Sequence, residues 1–336
     1  MGNEMSNDIL EAITIGRAIP TLAIVVPCHN EKEAFPRCLS VLNAVLGQLI
    51  VSGKIQDQSL IIFVDDGSRD STWELIKQAS ISNERVRGVK LSRNKGHQLA
   101  LMAGLSVADT DITISIDADL QDDTNCIEKM VDKYMLGSEI VYGVRNDRSS
   151  DSIFKRHTAN SFYKLMSKMG VNQVENHADY RMLSRLALQS LMQYKEQNLY
   201  IRGLVPLIGF KSDKVFYSRN ERVEGESKYP LRKMLALAIE GITSLTVTPL
   251  RLISILGFIT FAVAFMASIF ALVQKAEGNV VEGWTSVMIS IFFLGGIQLL
   301  CIGVIGEYVG KIYMESKGRP KFFIEETAGK IKNESN

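Results

Sequence analysis

Ile112-Thr113-Ile114-Ser115-Ile116-Asp117-Ala118-Asp119-Leu120-Gln121-Asp122 is the stretch on which the reading of this chain turns. Its first five residues are β-branched apart from one serine and read as a strand buried on both faces. Ionised acids seldom follow such a strand closely unless they are solvated, paired or metal-bound. On an extended segment residues i and i+2 project from one face, so Asp117 and Asp119 are expected to meet a single cation at the strand's carboxyl end. On this segment alone a plainer alternative stays open, because Asp-x-Asp is a common pattern: two solvated acids in a strand-to-loop turn.

The segments upstream repeat the design. Apolar runs at 22–26, 60–64 and 86–91 read as strands, and 31–49, 71–79 and 96–107 read as helices between them. Strands separated by helix-sized intervals imply βαβ crossovers, and so an α/β fold with a mostly parallel sheet and helices on both faces. Sheets of this kind bind ligands at the carboxyl ends of their strands. The polar clusters fall there: His29-Asn30-Glu31, Asp65-Asp66-Gly67-Ser68, Asn94-Lys95-Gly96, and the acids at 117 and 119. Downstream, 125–136 reads as a helix, 139–143 as a strand, and 154–168 and 184–193 as helical stretches.

Composition narrows the class. The 336 residues carry a net charge of +1, which leaves no basic surplus for nucleic acid. Charged side chains are absent between Arg251 and Gln274 and again between Glu282 and Glu307. Each interval is long enough to cross an apolar bilayer core of about 30 Å. Basic residues flank the pair (Lys228, Arg232, Lys233 and Arg251 before it; Lys311, Lys317, Arg319 and Lys321 after it), whereas the connecting loop carries Lys275 beside Glu277 and Glu282. A multi-pass inner (cytoplasmic) membrane protein with both termini cytoplasmic is the expectation. Cys28, Cys38, Cys126 and Cys301 form no Cys-x-x-Cys pair, and the four histidines are scattered, so a zinc site or disulfide framework is not expected. The expected organisation is a polar leader over 1–19, a catalytic domain over 20–229, an amphipathic interface helix over 230–248, two transmembrane helices within 249–309 (about 252–273 and 284–306), and a cytoplasmic tail over 310–336.

Pro27-Cys28-His29-Asn30-Glu31, Val64-Asp65-Asp66-Gly67-Ser68 and Asp117-Ala118-Asp119-Leu120-Gln121-Asp122 together resemble the GT-A glycosyltransferases of family 2. Ala178-Asp179-Tyr180-Arg181, Ile201-Arg202-Gly203-Leu204-Val205, Gly225-Glu226-Ser227-Lys228-Tyr229 and Gly306-Glu307-Tyr308 are similar to the bactoprenol (undecaprenyl-phosphate) branch, relatives of dolichol-phosphate mannose synthase. The resemblance spans roughly residues 20 to 325, with two departures: His29 stands where the family has tyrosine, and Asp123-Thr124 where it has prolines.

The resemblance implies a Rossmann-like GT-A sheet with a C-terminal membrane hairpin. It also implies transfer of a hexose, glucose on resemblance alone, from a UDP-sugar to polyprenyl phosphate, inverting and dependent on Mg²⁺ or Mn²⁺. Nucleotide-sugar contacts then fall on Pro27, His29, Glu31, Asp65, Asp117, Ala118, Asp119 and Gln121, with Asp117 and Asp119 as metal ligands. For Glu31, a first-turn helix acid is the competing reading, and Asp70 is expected to cap the following helix.

A phosphate acceptor has a second pKa of about 6 and is already nucleophilic at neutral pH. Asp179, where this fold commonly places a base, is therefore expected to orient Arg181 or the acceptor more than to take a proton. Arg202 is expected at the donor diphosphate, and Arg145, Arg148, Arg156 and Lys228 at the lipid phosphate. Gly295-Gly296, Gly303 and Gly306 suit close helix contact and a homo-oligomer. Alternatives are another sugar (mannose, N-acetylhexosamine or aminoarabinose type), a processive polysaccharide synthase, or a membrane nucleotide-sugar sensor. A flippase and a periplasmic transferase would act downstream.

Overall fold

In the computed structural model the described residues are 16–146, 177–197, 200–218, 246–277 and 283–330. The chain divides into two units: Met1–Leu165, Asn172–Lys228 and Pro320–Asn336 form one, Met166–Val171 and Tyr229–Arg319 the other.

The first unit opens with the alternation its sequence announces. Strands β1 (Leu22–Cys28), β2 (Leu60–Asp65), β3 (Val86–Leu91) and β4 (Ile112–Ser115) alternate with helices α1 (Phe35–Val51), α2 (Thr72–Ser82) and α3 (His97–Ser106). After α4 (Cys126–Met135) come β5 (Ile140–Arg145), β6 (His177–Ser184), α5 (Arg185–Met192), α6 (Ile201–Leu207) and β7 (Ser212–Tyr217). The second unit holds α7 (Thr248–Ala276) and α8 (Trp284–Ser316), and β8 (Ile324–Ala328) returns to the first.

The sheet has eight strands in the order β7-β5-β6-β4-β1-β2-β3-β8. Strand β1 pairs in parallel with β2 and β4, and β2 with β3, so four carboxyl ends share one rim. Strand β6 runs antiparallel between β4 and β5, and β8 runs antiparallel along β3. The sequence pattern had shown none of β6, β7 and β8 as strands. Strand β7 alternates exposed and buried residues with charges outward, the weak signature of a sheet edge. Strand β8 lies within the stretch expected as a tail; Trp73 Nε1 donates to Glu326 Oε2 at 2.9 Å, and Ser92 N to Phe323 O at 3.1 Å.

Two apolar layers sandwich the sheet. One packs α1, α2 and α4 against Ile24, Ile61, Phe63 and Ile114, with the Phe35 ring edge-on to Phe63 at 4.8 Å. A pair of this geometry adds about 0.5–1.5 kcal/mol beyond its burial. The other packs α3, α5 and α6 against Val25, Val64, Val89 and Leu183. Helix α3 sits close because Gly104 has no Cβ: one there would meet Val25 Cγ1 at 2.4 Å.

In the second unit α7 and α8 run 29 and 33 residues, each more than the roughly 20 that span an apolar bilayer core. Among the described residues, Phe293–Ser316 is long and apolar enough to cross a membrane, with a mean hydropathy of 1.6, and Thr248–Val263 is a shorter apolar stretch. Large apolar side chains on both helices are exposed, Phe258 at 72% and Leu299 at 73%, which a helix in water would bury. The interface helix expected over 230–248 and the helical stretch over 154–168 lie almost wholly or wholly outside the described residues.

Candidate active site

The rim of β1–β4 carries the first half of the site. Asp65, at the end of β2, has a fully buried side chain; its Oδ2 accepts the Ser68 amide at 3.3 Å, and its buried Oδ1 has no hydrogen-bond partner among the described residues. Burial pushes this carboxyl up, against the hydrogen bonds from Ser68. A buried acceptor left open in this way suits an N–H donor supplied by a ligand.

Next to it, Asp66 closes the rim. Its two carboxylate oxygens accept the amides of Lys95 at 2.7 Å and Gly96 at 2.9 Å, holding the loop that starts α3. That approach demands glycine at 67, whose φ is +61° and whose Cβ would lie 2.5 Å from Asn94 N. His29 is exposed, with Nδ1 3.0 Å from Asp66 O and 3.1 Å from Asn94 Nδ2, and Nε2 3.1 Å from Asn30 Nδ2. Pro27, inside β1, pairs in register with Val64.

Two alternatives at these positions resolve. Glu31 precedes α1 by a full turn, its carbonyl accepting Phe35 N at 2.8 Å, so the first-turn reading falls; α1 starts late because proline occupies its second position. Asp70 accepts the Thr72 amide at 3.1 Å from a place one residue before the N-cap, Ser71.

Asp117 and Asp119 are not presented by strand alternation. Strand β4 ends at Ser115, and Asp117 O accepts Leu120 N at 3.3 Å in a turn that puts Leu120 at a φ of +48°. The extended geometry expected for the pair is thus replaced by a turn, which leaves Asp119 exposed and Asp117 partly so. Ala118 packs its methyl in the core, and Gln121 is buried. Burial pushes Asp117 above the usual carboxylate range, and Asp122, Asp179 and Asp119 push the same way against His97. Hard oxygen donors in a crowd of negative charge fit a divalent cation. Among the described residues no group of three ligating side chains forms, so the protein would supply part of a coordination shell.

The second half of the site comes from the antiparallel strand. Arg181 lies opposite Ser115 in the β4–β6 register, so Asp179, two residues earlier on β6, lies beyond the end of β4 on the rim of Asp117. Asp179 is buried and receives Arg181 Nη2 at 2.5 Å, Arg202 Nη2 at 3.0 Å and Arg202 Nε at 3.3 Å. His97 Nε2 stands 3.4 Å from Asp179 Oδ2 and 3.5 Å from Asp117 Oδ1, bridging the two halves. Burial by itself would raise the Asp179 carboxyl, but His97, Arg181 and Arg202 hold it well below the usual range. The acid pairs with buried Arg181 and with half-exposed Arg202, a partner not expected for it. Arg202 is set on α6, whose start is tied down by Ile201 N donating to Gln98 Oε1 at 3.0 Å.

Arg145 ends β5, paired with buried Asp122 at 3.0 Å. Arg148, Arg156 and Lys228 lie outside the described residues. Sequence reasoning passed over His97, Gln98, Asp66 as a latch, Asp122 and Tyr217. The signal for the first three was their adjacency to rim motifs already singled out; for Tyr217 there was none.

A sheet of this order, with nucleotide-type strand ends and a D-x-D turn facing an arginine-bound acid, is the GT-A arrangement, and the chain belongs to glycosyl transferase family 2. The model of that family matches residues 23–192, and a second, described as the GtrB C-terminal hairpin, matches 248–312. An uncharacterized glycosyltransferase of Bacillus subtilis, YkoT, is 51% identical over 91% of each chain. The bactoprenol glucosyl transferase of Shigella phage SfV is 38% identical over 90% of this chain and 98% of that one, and a prophage bactoprenol glucosyl transferase homolog of Escherichia coli matches to the same extent. The chain is a glycosyltransferase, and its hairpin marks it as membrane-associated.

Proposed function

We propose that this enzyme transfers glucose from a UDP-sugar to polyprenyl phosphate at the cytoplasmic face of the membrane, with inversion at the anomeric carbon. The observation that carries the reading is Asp179. It occupies the base position of the fold, yet two arginines and His97 hold it ionised and engaged. A sugar hydroxyl acceptor would need a base there, whereas a phosphate dianion needs none, because its oxygen is already the nucleophile. Similarity to bactoprenol glucosyl transferases over nine-tenths of the chain supports the same acceptor class and glucose as the sugar.

In this reading the open Oδ1 of Asp65 accepts the ring N–H of uracil, with His29, Pro27 and Glu31 on the nucleotide side. Asp117 and Asp119 hold Mg²⁺ or Mn²⁺, which when bound stabilises charge on the leaving diphosphate. Arg202, aimed by Asp179, meets the diphosphate. Arg145 meets the lipid phosphate with Arg148, Arg156 and Lys228, so guanidinium charge offsets the repulsion between two phosphate guests. A hairpin crossing the bilayer twice would keep the enzyme where a polyprenyl acceptor resides. The chain leaves the catalytic unit before the hairpin and returns to the same unit at β8, which supports an even number of crossings.

Purified full-length protein given labelled UDP-glucose, Mg²⁺ or Mn²⁺ and undecaprenyl phosphate tests this directly. A lipid-linked monosaccharide is expected. Polymer, or no lipid-linked product with any of a panel of UDP- and GDP-sugars, would overturn it.

A further inference from the structure

Tyr217 and Asp122 enclose Arg145 in a closed ring of hydrogen bonds. Tyr217 Oη donates to Asp122 Oδ1 at 2.6 Å, Arg145 Nη2 donates to the same oxygen at 3.0 Å, and Arg145 Nε donates to Tyr217 Oη at 3.2 Å. The three groups arrive from three elements: Asp122 from the loop after Asp119, Arg145 from the end of β5, and Tyr217 from the end of β7, where the register sets it beside Arg145.

The ring is built to be rigid. Asp122 is 2% exposed and Tyr217 3%, and the Tyr217 ring stands edge-on to Tyr180 at 5.5 Å. Tyr180 in turn donates its hydroxyl to the Asp123 carbonyl at 3.0 Å, pinning the loop that carries Asp122. Burial and the charge of Asp122 push the Tyr217 phenol upward, so it remains a donor at any physiological pH. A guanidinium has five N–H donors in a fixed plane. Here Nε and one Nη2 hydrogen are engaged, Nη1 bonds no described residue, and the side chain is 28% exposed. What remains is a fork of donors on the outer edge, the geometry that meets phosphate oxygens two at a time.

We infer that Tyr217 and Asp122 are positioning residues that hold Arg145 in register with the Asp117–Asp119 turn, so that the acceptor phosphate is oriented by the segment that holds the donor. This rests on the assignment of Arg145 to the acceptor phosphate made above. Asp122 offsets the charge of Arg145, and Tyr217 sets the rotation of the guanidinium plane. Neither needs to touch substrate.

Tyr217→Phe tests the inference, since it removes both bonds of the hydroxyl and keeps the ring against Tyr180. In full-length enzyme, KM for undecaprenyl phosphate should rise about 3- to 10-fold, the scale of one or two lost hydrogen bonds, with KM for UDP-glucose changed less than about 2-fold. Arg145→Ala should raise the acceptor KM further, and adding Tyr217→Phe to it should change nothing more. Equal changes in both KM values, or full additivity with Arg145→Ala, would show a merely structural tyrosine and overturn the inference. Calorimetric binding of a short-chain prenyl phosphate without donor reads the same network apart from turnover: Tyr217→Phe should weaken it by a similar factor, and unchanged affinity overturns the positioning role even if wild-type enzyme glycosylates the lipid. If the wild type neither binds nor glycosylates prenyl phosphates, the proposed function falls and this inference with it.

Discussion

The two halves of the catalytic rim are built on different principles. On the side of β1–β4 each candidate group sits on a short motif at or just past the end of its own strand, and parallel pairing brings Asp65, Asp66 and Asp117 to one edge. On the side of β5–β7 no motif is complete: Asp179 needs Arg202 from 23 residues away, and Arg145 needs Tyr217 from 72 residues away and Asp122 from 23. A crossover topology delivers binding groups automatically, while an antiparallel insertion must assemble them by ion pairing. The first half therefore tolerates drift in its loops less through charge than through backbone shape, and the second depends on buried charge.

If the first half is where the cation and donor are held, its loss should be the most severe. Asp119→Ala is expected to lower turnover by about 10³-fold or more, with folding unchanged by circular dichroism, because a group acting on developing charge is worth several kcal/mol. A variant retaining full lipid-linked product would remove Asp119 from the site.

On the other half, Arg202→Ala should cost about 10²-fold in kcat and only a few-fold in donor KM, since its interaction is expected to strengthen as the diphosphate leaves. An unchanged rate would confine Arg202 to the pair with Asp179.

Asp179→Asn separates charge from shape. It leaves buried Arg181 facing a neutral amide, and breaking one side of a buried pair costs on the order of 3–5 kcal/mol. The sign of its pH dependence is fixed by the depressed carboxyl: the stabilisation is fully present above the unfolded value near 3.9 and is lost only as pH falls below it through the folded value. Wild-type melting temperature should thus show no Asp179 transition between about pH 5 and 8. A loss on raising pH there belongs to His97, whose imidazole, against its burial, is pushed up by Asp179 and Asp117, and a loss on lowering pH there would contradict the tight pairing.

Gly67→Ala probes backbone shape in the first half. A methyl at positive φ against Asn94 N should destabilise by about 1–3 kcal/mol and raise donor KM, because the Asp66 latch on α3 would shift. Thermal denaturation and donor titration would show whether loop shape matters as the comparison requires.

Legibility followed the same division. Strands β1–β4 and α2–α4 were readable within a few residues, and β3 matched at both ends: β1 and β2 are near-continuous apolar runs, as strands covered on both faces are, while β3 sets Arg87 and Lys90 between buried residues. Strands β6 and β8 were not readable. His177–Ser184 mixes His, Asp, Tyr and Arg, residues that a buried strand accepts here only because Asp179 neutralises Arg181 in place. Ile324–Ala328 carries two glutamates, tolerated because the strand is an edge with Trp73 and Lys77 waiting for Glu326. Asp117 and Asp119 were read from an extended geometry that the turn at Leu120 replaces.

From sequence alone come the α/β alternation, the polar rim of strand ends and the apolar hairpin, since each is written in residues adjacent along the chain and decided by local burial. Tertiary structure decided the ion pairs of Asp179, the latch of Asp66, the bridge of His97 and the ring around Arg145. The latch needs Gly67 to let two backbone amides reach Asp66, and the other three depend on which distant charges share a low-dielectric space, set when β6 pairs backward between β4 and β5.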